Sequence, residues 1–189
     1  MFSTGSTGAR KGRMSNQLGT SPGIEEVAAR LAILEILNLH SRGIDRREAA
    51  WLKSAYWPDA VVDYGSYKGE AHTFADILVA VLGEQYEMTQ HFLGNTLFDI
   101  QGQTAKTESY VAAHHLLVGG REDLYYSGRY LDVLNCRDGR WKLSSRIVVM
   151  DWSRRLEVED ERTTKAFVDL AKGTNDAEDP LHLFWPQSD

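Results

Sequence analysis

Two histidines and one aspartate stand where predicted structural elements begin or end. His40 and Asp45 close a strongly apolar predicted helix, and His91 opens a predicted strand far along the chain. A neutral imidazole accepts a proton near neutral pH, and a carboxylate on its other ring nitrogen fixes the tautomer and stabilises the imidazolium that forms. We therefore predict that Asp45 and His91 meet, with His91 as a general base and Asp45 orienting it.

A general base works together with a group that assists departure of the leaving group. The sequence offers His40, Tyr56, His114 and Arg146 for that role. Arg146 does not release its proton readily, so it would act as a fixed cation. His114 and His115 are neighbours on a predicted strand and point to opposite faces, so at most one enters the interior, and we take His114 as the candidate.

The same residues also admit other interpretations. A histidine at an element boundary is more often a hydrogen-bonded structural residue than a catalytic one, so a binding or assembly module is the main alternative to an enzyme. An isomerase using the same base is a third possibility. A catalytic pair should border an open apolar pocket, whereas a structural pair should be packed shut.

No motif for a metal or cofactor accompanies these residues. The sequence has no His-x-His, no His-Glu-x-x-His and no pair of cysteines, since Cys136 is the only one. It also has no glycine-rich phosphate loop and no dinucleotide fingerprint. We therefore expect acid–base chemistry without metal or cofactor, and no intrachain disulfide.

Composition narrows the class of protein further. The chain has 189 residues, 42% of them hydrophobic and 25% charged, which suits one domain with a substantial core. The first 22 residues carry three basic residues and no acid, so a total charge of −6 leaves −9 on the remainder. An acidic body argues against nucleic-acid partners. Without an apolar stretch long enough for a signal or a membrane span, the cytoplasm is the expected location.

Periodicity predicts helices first and a meander of strands afterwards. Helical spacing marks four segments, and alternation marks five strands. The predicted helices cover residues 24–39, 46–56, 74–86 and 159–171, and Gly43 is expected to end the first of them. The predicted strands cover residues 60–64, 91–100, 105–119, 124–136 and 140–152. This order predicts an α+β fold with a curved, largely antiparallel sheet and helices on one face.

We divide the chain into a disordered arm (1–22), one domain (23–172) and a tail (173–189). The segment Leu181–Trp185 is apolar, so the tail is expected to dock on the domain or on a neighbouring subunit, the alternative being a mobile acidic tail. The residues expected to contact substrate are Tyr56, Val62, Leu78, Tyr86, Thr89 and Trp152.

Several short runs together resemble a known family. Their order and spacing are similar to the SnoaL-like branch of the nuclear transport factor 2-like superfamily, and more narrowly to the group of scytalone dehydratase, bile-acid dehydratase and hexachlorocyclohexane dehydrochlorinase. The resemblance spans roughly residues 24–155 and rests on Asp45–Arg47, Tyr56–Ala60, Tyr67–Gly69, Thr89–His91 with Gly94–Asn95, and Asp138–Arg146.

That resemblance implies a cone-shaped α+β barrel with a mixed, mainly antiparallel sheet, N-terminal helices on its concave face and a deep apolar pocket. It places a His–Asp dyad, active without cofactor, on His91 and Asp45, and the basic residue of the late strand on Arg146. His40 departs from the lysine or tyrosine of relatives. The implied function is a lyase that eliminates water, or less often halide, from an apolar cyclic substrate such as a hydroxysteroid or hydroxylated ring ketone, in a homotrimer.

Overall fold

The computed structural model describes residues 19–176 and 178–185. The predicted disordered arm lies, up to residue 18, outside the described residues. The helices are α1 (Ile24–Asp45), α2 (Ala49–Ser54), α3 (Ala71–Gln85) and α4 (Pro180–Phe184). The strands are β1 (Tyr56–Asp63), β2 (Lys68–Glu70), β3 (Tyr86–Gln101), β4 (Thr104–Leu117), β5 (Glu122–Arg137) and β6 (Arg140–Glu157).

One six-stranded sheet organises the domain, in the order β2-β1-β6-β5-β4-β3. The strands β3 to β6 form consecutive antiparallel hairpins, and β1 pairs in parallel with β6. The sheet curls around the N-terminal helices, which confirms the predicted α+β class with a mixed, mainly antiparallel sheet. No helix in the described part of the chain is long and apolar enough to cross a membrane.

The helix α1 lies against β3 and β6 and supplies much of the core. Its residues Ile33, Leu37 and Ile44 are at most 3% exposed. They recur at helical spacing on one side, which is why this segment packs as a helix on the sheet. Other members of the same core are Leu52, Ala60, Phe74, Leu82, Leu134 and Leu143.

Gly43 does not end α1, contrary to the prediction, because the helix continues to Asp45. A Cβ atom at position 43 would lie only 2.8 Å from the backbone nitrogen of Leu52 in α2. Glycine is therefore needed here for close packing of two helices. The helix therefore ends at Asp45, two residues beyond Gly43, and Asp45 faces β3.

The first strand begins at Tyr56, four residues earlier than predicted. Pro58 lies in this strand, where the pairing of β1 with β6 is irregular between Tyr56 and Val61. A missing N–H is tolerated at such a place because no regular ladder bond depends on it.

The predicted helix at residues 159–171 is wrong, since this segment forms a series of turns. Its apolar residues Phe167, Val168 and Leu170 are 41%, 56% and 62% exposed. A short helix gains its stability mainly from burying one face, and this segment buries none.

Candidate active site

Asp45 and His91 form a hydrogen-bonded pair where α1 ends against β3. The distance from Asp45 Oδ1 to His91 Nδ1 is 2.6 Å, and the backbone N–H of His91 donates to Asp45 Oδ2 at 3.0 Å. The side chains are only 8% and 13% exposed for His91 and Asp45. The predicted contact is confirmed, and the carboxylate is fixed by both of its oxygens.

This geometry determines which nitrogen of His91 carries the proton. An ionised carboxylate can only accept, so Nδ1 of the neutral ring must donate to Asp45. Nε2 is then left with a free lone pair. Among the described residues, none forms a hydrogen bond with this Nε2, so it is available to accept a proton from another molecule.

His91 lines a cavity of about 170 Å³. The walls are mostly apolar or aromatic and come from α1, α3 and strands β3 to β6, together with the residue that follows β1. The lining residues are Ile44, Tyr64, Leu78, Leu82, His91, His115, Tyr126, Tyr130 and Val148. Leu78, one of the residues expected to contact substrate, is among them.

His115, and not the predicted His114, shares this cavity. In the register of β3 with β4, His115 lies opposite Thr89. Thr89 is two residues from His91 in β3, so both side chains, and that of His115, lie on the same face of the sheet. The rings of His91 and His115 are 5.5 Å apart. His114 is on the outer face, 47% exposed at its side chain and 2.7 Å from the Asp123 carboxylate.

Its surroundings keep His115 neutral. Burial, followed by the neighbouring His91, lowers the pKa of His115 to about 4, although Asp123 acts in the opposite direction. Its Nδ1 lies 2.7 Å from the hydroxyl of Thr89, and the Tyr86 ring packs 4.9 Å from its own. Both predicted contact residues, Thr89 and Tyr86, therefore hold His115 in place without lining the cavity themselves.

Tyr64, which sequence reasoning did not single out, contributes a hydroxyl to the same region. This hydroxyl is buried and forms no hydrogen bond of standard geometry with the described residues. Burial raises the pKa of Tyr64, while the positive charge of Arg146 opposes that shift. Contacts with the side chains of Tyr56 and Arg146 also oppose it. A neutral hydroxyl beside an apolar cavity can bind an oxygen of a ligand.

The three remaining candidates for assisting the leaving group belong to a buried network beside the cavity. Arg146 donates to both oxygens of Asp132 at 2.8 Å and to His40 Nδ1 at 2.8 Å. His40 Nε2 lies 2.8 Å from the hydroxyl of Tyr56. Because arginine only donates, His40 accepts at Nδ1 and donates from Nε2.

This network leaves neither His40 nor Arg146 free to face a ligand. Each is only 1% exposed, and neither lines the cavity, although the Arg146 guanidinium stacks 3.9 Å from the ring of Tyr130, which does. Burial, with Arg146 next, lowers the pKa of His40 well below its usual value, so the ring is neutral. Tyr56 and Val62 are likewise buried in the core, so this geometry gives both a packing role rather than the predicted contact with substrate.

Trp152 was predicted to contact substrate, but it does not face the cavity. The register of β5 with β6 shifts between Ser127 and Gly128, where Ser127 pairs with Trp152 and Gly128 with Met150. This irregularity turns Trp152 outward, where it is 49% exposed and packs 5.0 Å from the Tyr125 ring. Strand parity alone would place it on the same face as Val148.

Across the parts of the chain that the structure describes, no group of three or more histidine, cysteine, aspartate or glutamate residues is arranged to hold a metal ion. The residues that face the cavity are suited to proton transfer and hydrogen bonding.

Comparison with known proteins now defines the class. The chain belongs to the SnoaL-like domain family, which matches residues 25–147. It is 28% identical over 129 residues to an uncharacterized protein of Mycobacterium tuberculosis (strain ATCC 25618 / H37Rv), covering 66% of this chain and 86% of that one. It is also 28% identical over 125 residues to hexachlorocyclohexane dehydrochlorinase 1 of Sphingobium indicum, covering 64% and 80%.

Solved structures give the same picture of the fold. A hexachlorocyclohexane dehydrochlorinase of type 2 superposes with a TM-score of 0.65 at 25% identity, over 70% of this chain and 91% of that chain. A scytalone dehydratase-like protein from Novosphingobium aromaticivorans has a TM-score of 0.64 at 21% identity, over 71% and 91%. Relatives in the family thus include enzymes.

Proposed function

We propose that this protein is a cofactor-independent lyase that eliminates water from a small, largely apolar cyclic substrate. The observation that carries the proposal is the free Nε2 of His91, oriented by Asp45, on the wall of an apolar cavity. A structural pair packed shut would have no such cavity, so the geometry favours an enzyme over a binding module.

In the proposed mechanism, His91 takes a proton from a carbon of the substrate through Nε2. Asp45 keeps the ring in the correct tautomer and stabilises the imidazolium. The electron pair of the broken C–H bond forms the new double bond as the C–O bond breaks, and the imidazolium of His91 returns its proton to the departing oxygen, which leaves as water. Positioned proton transfer of this kind contributes about 10²–10⁴-fold to the rate.

Two residues are proposed to assist the leaving group or a neighbouring carbonyl. His115 is neutral and 5.5 Å from His91 by ring centroids, so with its proton on Nε2 it would donate a hydrogen bond to the departing oxygen and keep that proton. The buried hydroxyl of Tyr64 would donate to a second oxygen of the substrate. His115 replaces His114 in this role because only His115 faces the cavity.

The cavity size narrows the proposed substrate. A volume of about 170 Å³ is close to that of the roughly 150 Å³ cavity known to accept benzene in another protein. It is below the roughly 300–1,000 Å³ of typical drug-sized sites. A hydroxylated ring ketone with one ring therefore suits the cavity better than a hydroxysteroid does.

The relative that is a dehydrochlorinase supports an alternative leaving group. Halide leaves without a proton, so elimination of halide would need His91 only as the base and would depend less on the hydrogen bond from His115. This difference separates the two activities.

Kinetics of variants on paired substrates test the proposal. His91→Ala should abolish elimination from both a cyclic β-hydroxy ketone and its chloro analogue. His115→Gln should lower the rate with the hydroxyl substrate far more than with the chloro substrate. His114→Gln, on the outer face, is the matched control and should retain activity on both. Full activity of the His91 variant would refute the lyase and leave the binding module.

We also propose a homotrimer, since the outer face of the sheet is unusually apolar. Phe92, Tyr110 and Trp152 are 49–52% exposed there, and Leu183 and Phe184 in α4 are 90% and 85% exposed. Such surfaces are typical of subunit contacts. Light scattering at micromolar concentration should give a trimer mass, and truncation after Thr174 should weaken the assembly if α4 takes part. A monomer mass for the full chain would contradict the proposal.

A further inference from the structure

A second, polar pocket lies next to the dyad, at the C-terminal end of α1. Its volume is about 210 Å³, and it has His91 as a wall in common with the apolar cavity. Most of its lining comes from successive turns of α1. The lining residues are Asn38, Ser41, Arg42, Asp45, Arg46, His91 and Leu93.

The two arginines of this pocket form no close ion pair, although the charge of Arg46, after backbone hydrogen bonds from Leu181 and Thr174, helps to lower the pKa of the Asp179 carboxyl against its burial. Arg42 Nε and Arg46 NH1 are buried atoms without a hydrogen bond, and neither guanidinium forms an ion pair with a described residue. Asp45 forms no ion pair with either of them, and its two oxygens accept from the backbone N–H and Nδ1 of His91. Buried donors in proteins are nearly always paired, so these nitrogens lack an acceptor.

Aromatic rings hold one of the guanidinium groups in place. Arg42 stacks 4.1 Å from the Trp51 ring of α2 and 5.2 Å from the Trp185 ring that follows α4. Stacking fixes the plane of the group while leaving its edge free to donate. A cation that is held in place before a ligand arrives loses little entropy when it binds an anion.

We propose that Arg42 and Arg46 form a binding site for a monoanionic carboxylate carried by a small molecule. With Asp45, the pocket contains two positive charges and one negative charge, a balance that one carboxylate neutralises. The planar fork of arginine matches the two oxygens of a carboxylate. A phosphate dianion would instead leave an excess negative charge beside Asp45.

Binding of acetate and phosphate to the full chain tests this site. Side-chain ¹H–¹⁵N NMR spectra follow the Arg42 Nε–H signal during titration at constant ionic strength, with chloride replaced stepwise by acetate or by phosphate. We expect a saturable shift with acetate and weaker or no saturation with phosphate. Tighter binding of phosphate would overturn the carboxylate assignment, and no saturation with either anion would overturn the site.

Variants separate a specific site from general attraction of anions. Arg46→Gln keeps the Arg42 signal observable and should weaken acetate binding by about tenfold, in the range expected for loss of a charged hydrogen bond. Arg42→Lys keeps the positive charge but loses the planar guanidinium group. Acetate should therefore raise the melting temperature of this variant less than it raises that of the wild-type protein.

Arg140→Gln is the matched control, since Arg140 is an exposed arginine at the start of β6. It should bind acetate as the wild-type protein does. Equal acetate binding by the Arg46→Gln variant, with its fold intact by circular dichroism, would refute the proposal. Because these readouts do not use activity, the site stands or fails independently of the proposed lyase.

Discussion

Replacing Asp45 by asparagine should invert the tautomer of His91. In the wild-type protein, one carboxylate oxygen accepts from the His91 backbone N–H at 3.0 Å and the other from Nδ1 at 2.6 Å. Asparagine of the same shape offers one acceptor and one donor. The backbone N–H can only donate, so it takes the amide oxygen, and the amide NH₂ group then faces Nδ1. That nitrogen must accept, and the proton moves to Nε2.

The expected magnitudes follow from this exchange. The variant keeps two hydrogen bonds but loses their ionic character, which should lower the free energy of unfolding by no more than about 1–3 kcal/mol. Proton abstraction should suffer much more, because Nε2 no longer has a lone pair facing the cavity. The same inversion of tautomer in a catalytic triad lowers kcat by about 10⁴, and a loss of that order is expected here.

The tautomer is measured without knowledge of the substrate. Long-range ¹H–¹⁵N NMR spectra of the imidazoles distinguish protonated from unprotonated ring nitrogens. We expect Nδ1–H for His91 in the wild-type protein and Nε2–H in the variant. An unchanged His91 spectrum in the variant, or Nε2–H in the wild-type protein, would refute the reasoning.

A second aspartate supplies the control for this experiment. Asp123 lies 2.7 Å from His114 Nδ1 and accepts from the backbone N–H of His115 at 3.2 Å, the same pattern on the outer face. Asp123→Asn should therefore change the His114 signals and leave those of His91 unchanged.

Three further predictions concern stability, measured by urea unfolding. Gly43→Ala should destabilise the fold by about 1–3 kcal/mol because its Cβ meets the α2 backbone, whereas Gly83→Ala, with open space around its Cβ, should be neutral or stabilising within about 1 kcal/mol. Arg146→Met should cost about 3–5 kcal/mol since it leaves the buried Asp132 carboxylate unpaired, and a loss below about 1 kcal/mol would contradict a buried network. His115, with its pKa lowered to about 4, takes up a proton on unfolding between about pH 6.5 and 4, so stability should fall with decreasing pH by up to about 1.4 kcal/mol per unit, and His115→Gln should reduce that slope.

The sequence alone predicted the contact of Asp45 with His91 and the order of elements from α1 to β6, apart from the short strand β2. Apolar residues at helical spacing define α1 up to its polar end, and alternation defines the four long strands that begin at Tyr86. Local side-chain spacing reports directly on secondary structure, since a helix and a strand bury residues with different periods. This spacing therefore predicts that Asp45 lies at the end of a helix and His91 near the start of a strand.

The tertiary structure decided which faces of those elements line the cavity. Adjacent residues of a strand point to opposite faces, so only one of His114 and His115 points inward. Which of the two does so depends on the pairing of His115 with Thr89. The shift in register at Gly128 likewise turns Trp152 outward. Register is fixed by contacts between strands, and no local pattern within one strand reports it.

The buried network beside the cavity is likewise a product of long-range packing. His40 and Arg146 are 106 residues apart in the chain, and Asp132 reaches Arg146 from the neighbouring strand. As isolated residues, a histidine and an arginine near a predicted site indicate catalysis. Only their complete burial, with a carboxylate already satisfying the cation, assigns them to holding α1 on the sheet, because burial and partners depend on the whole fold.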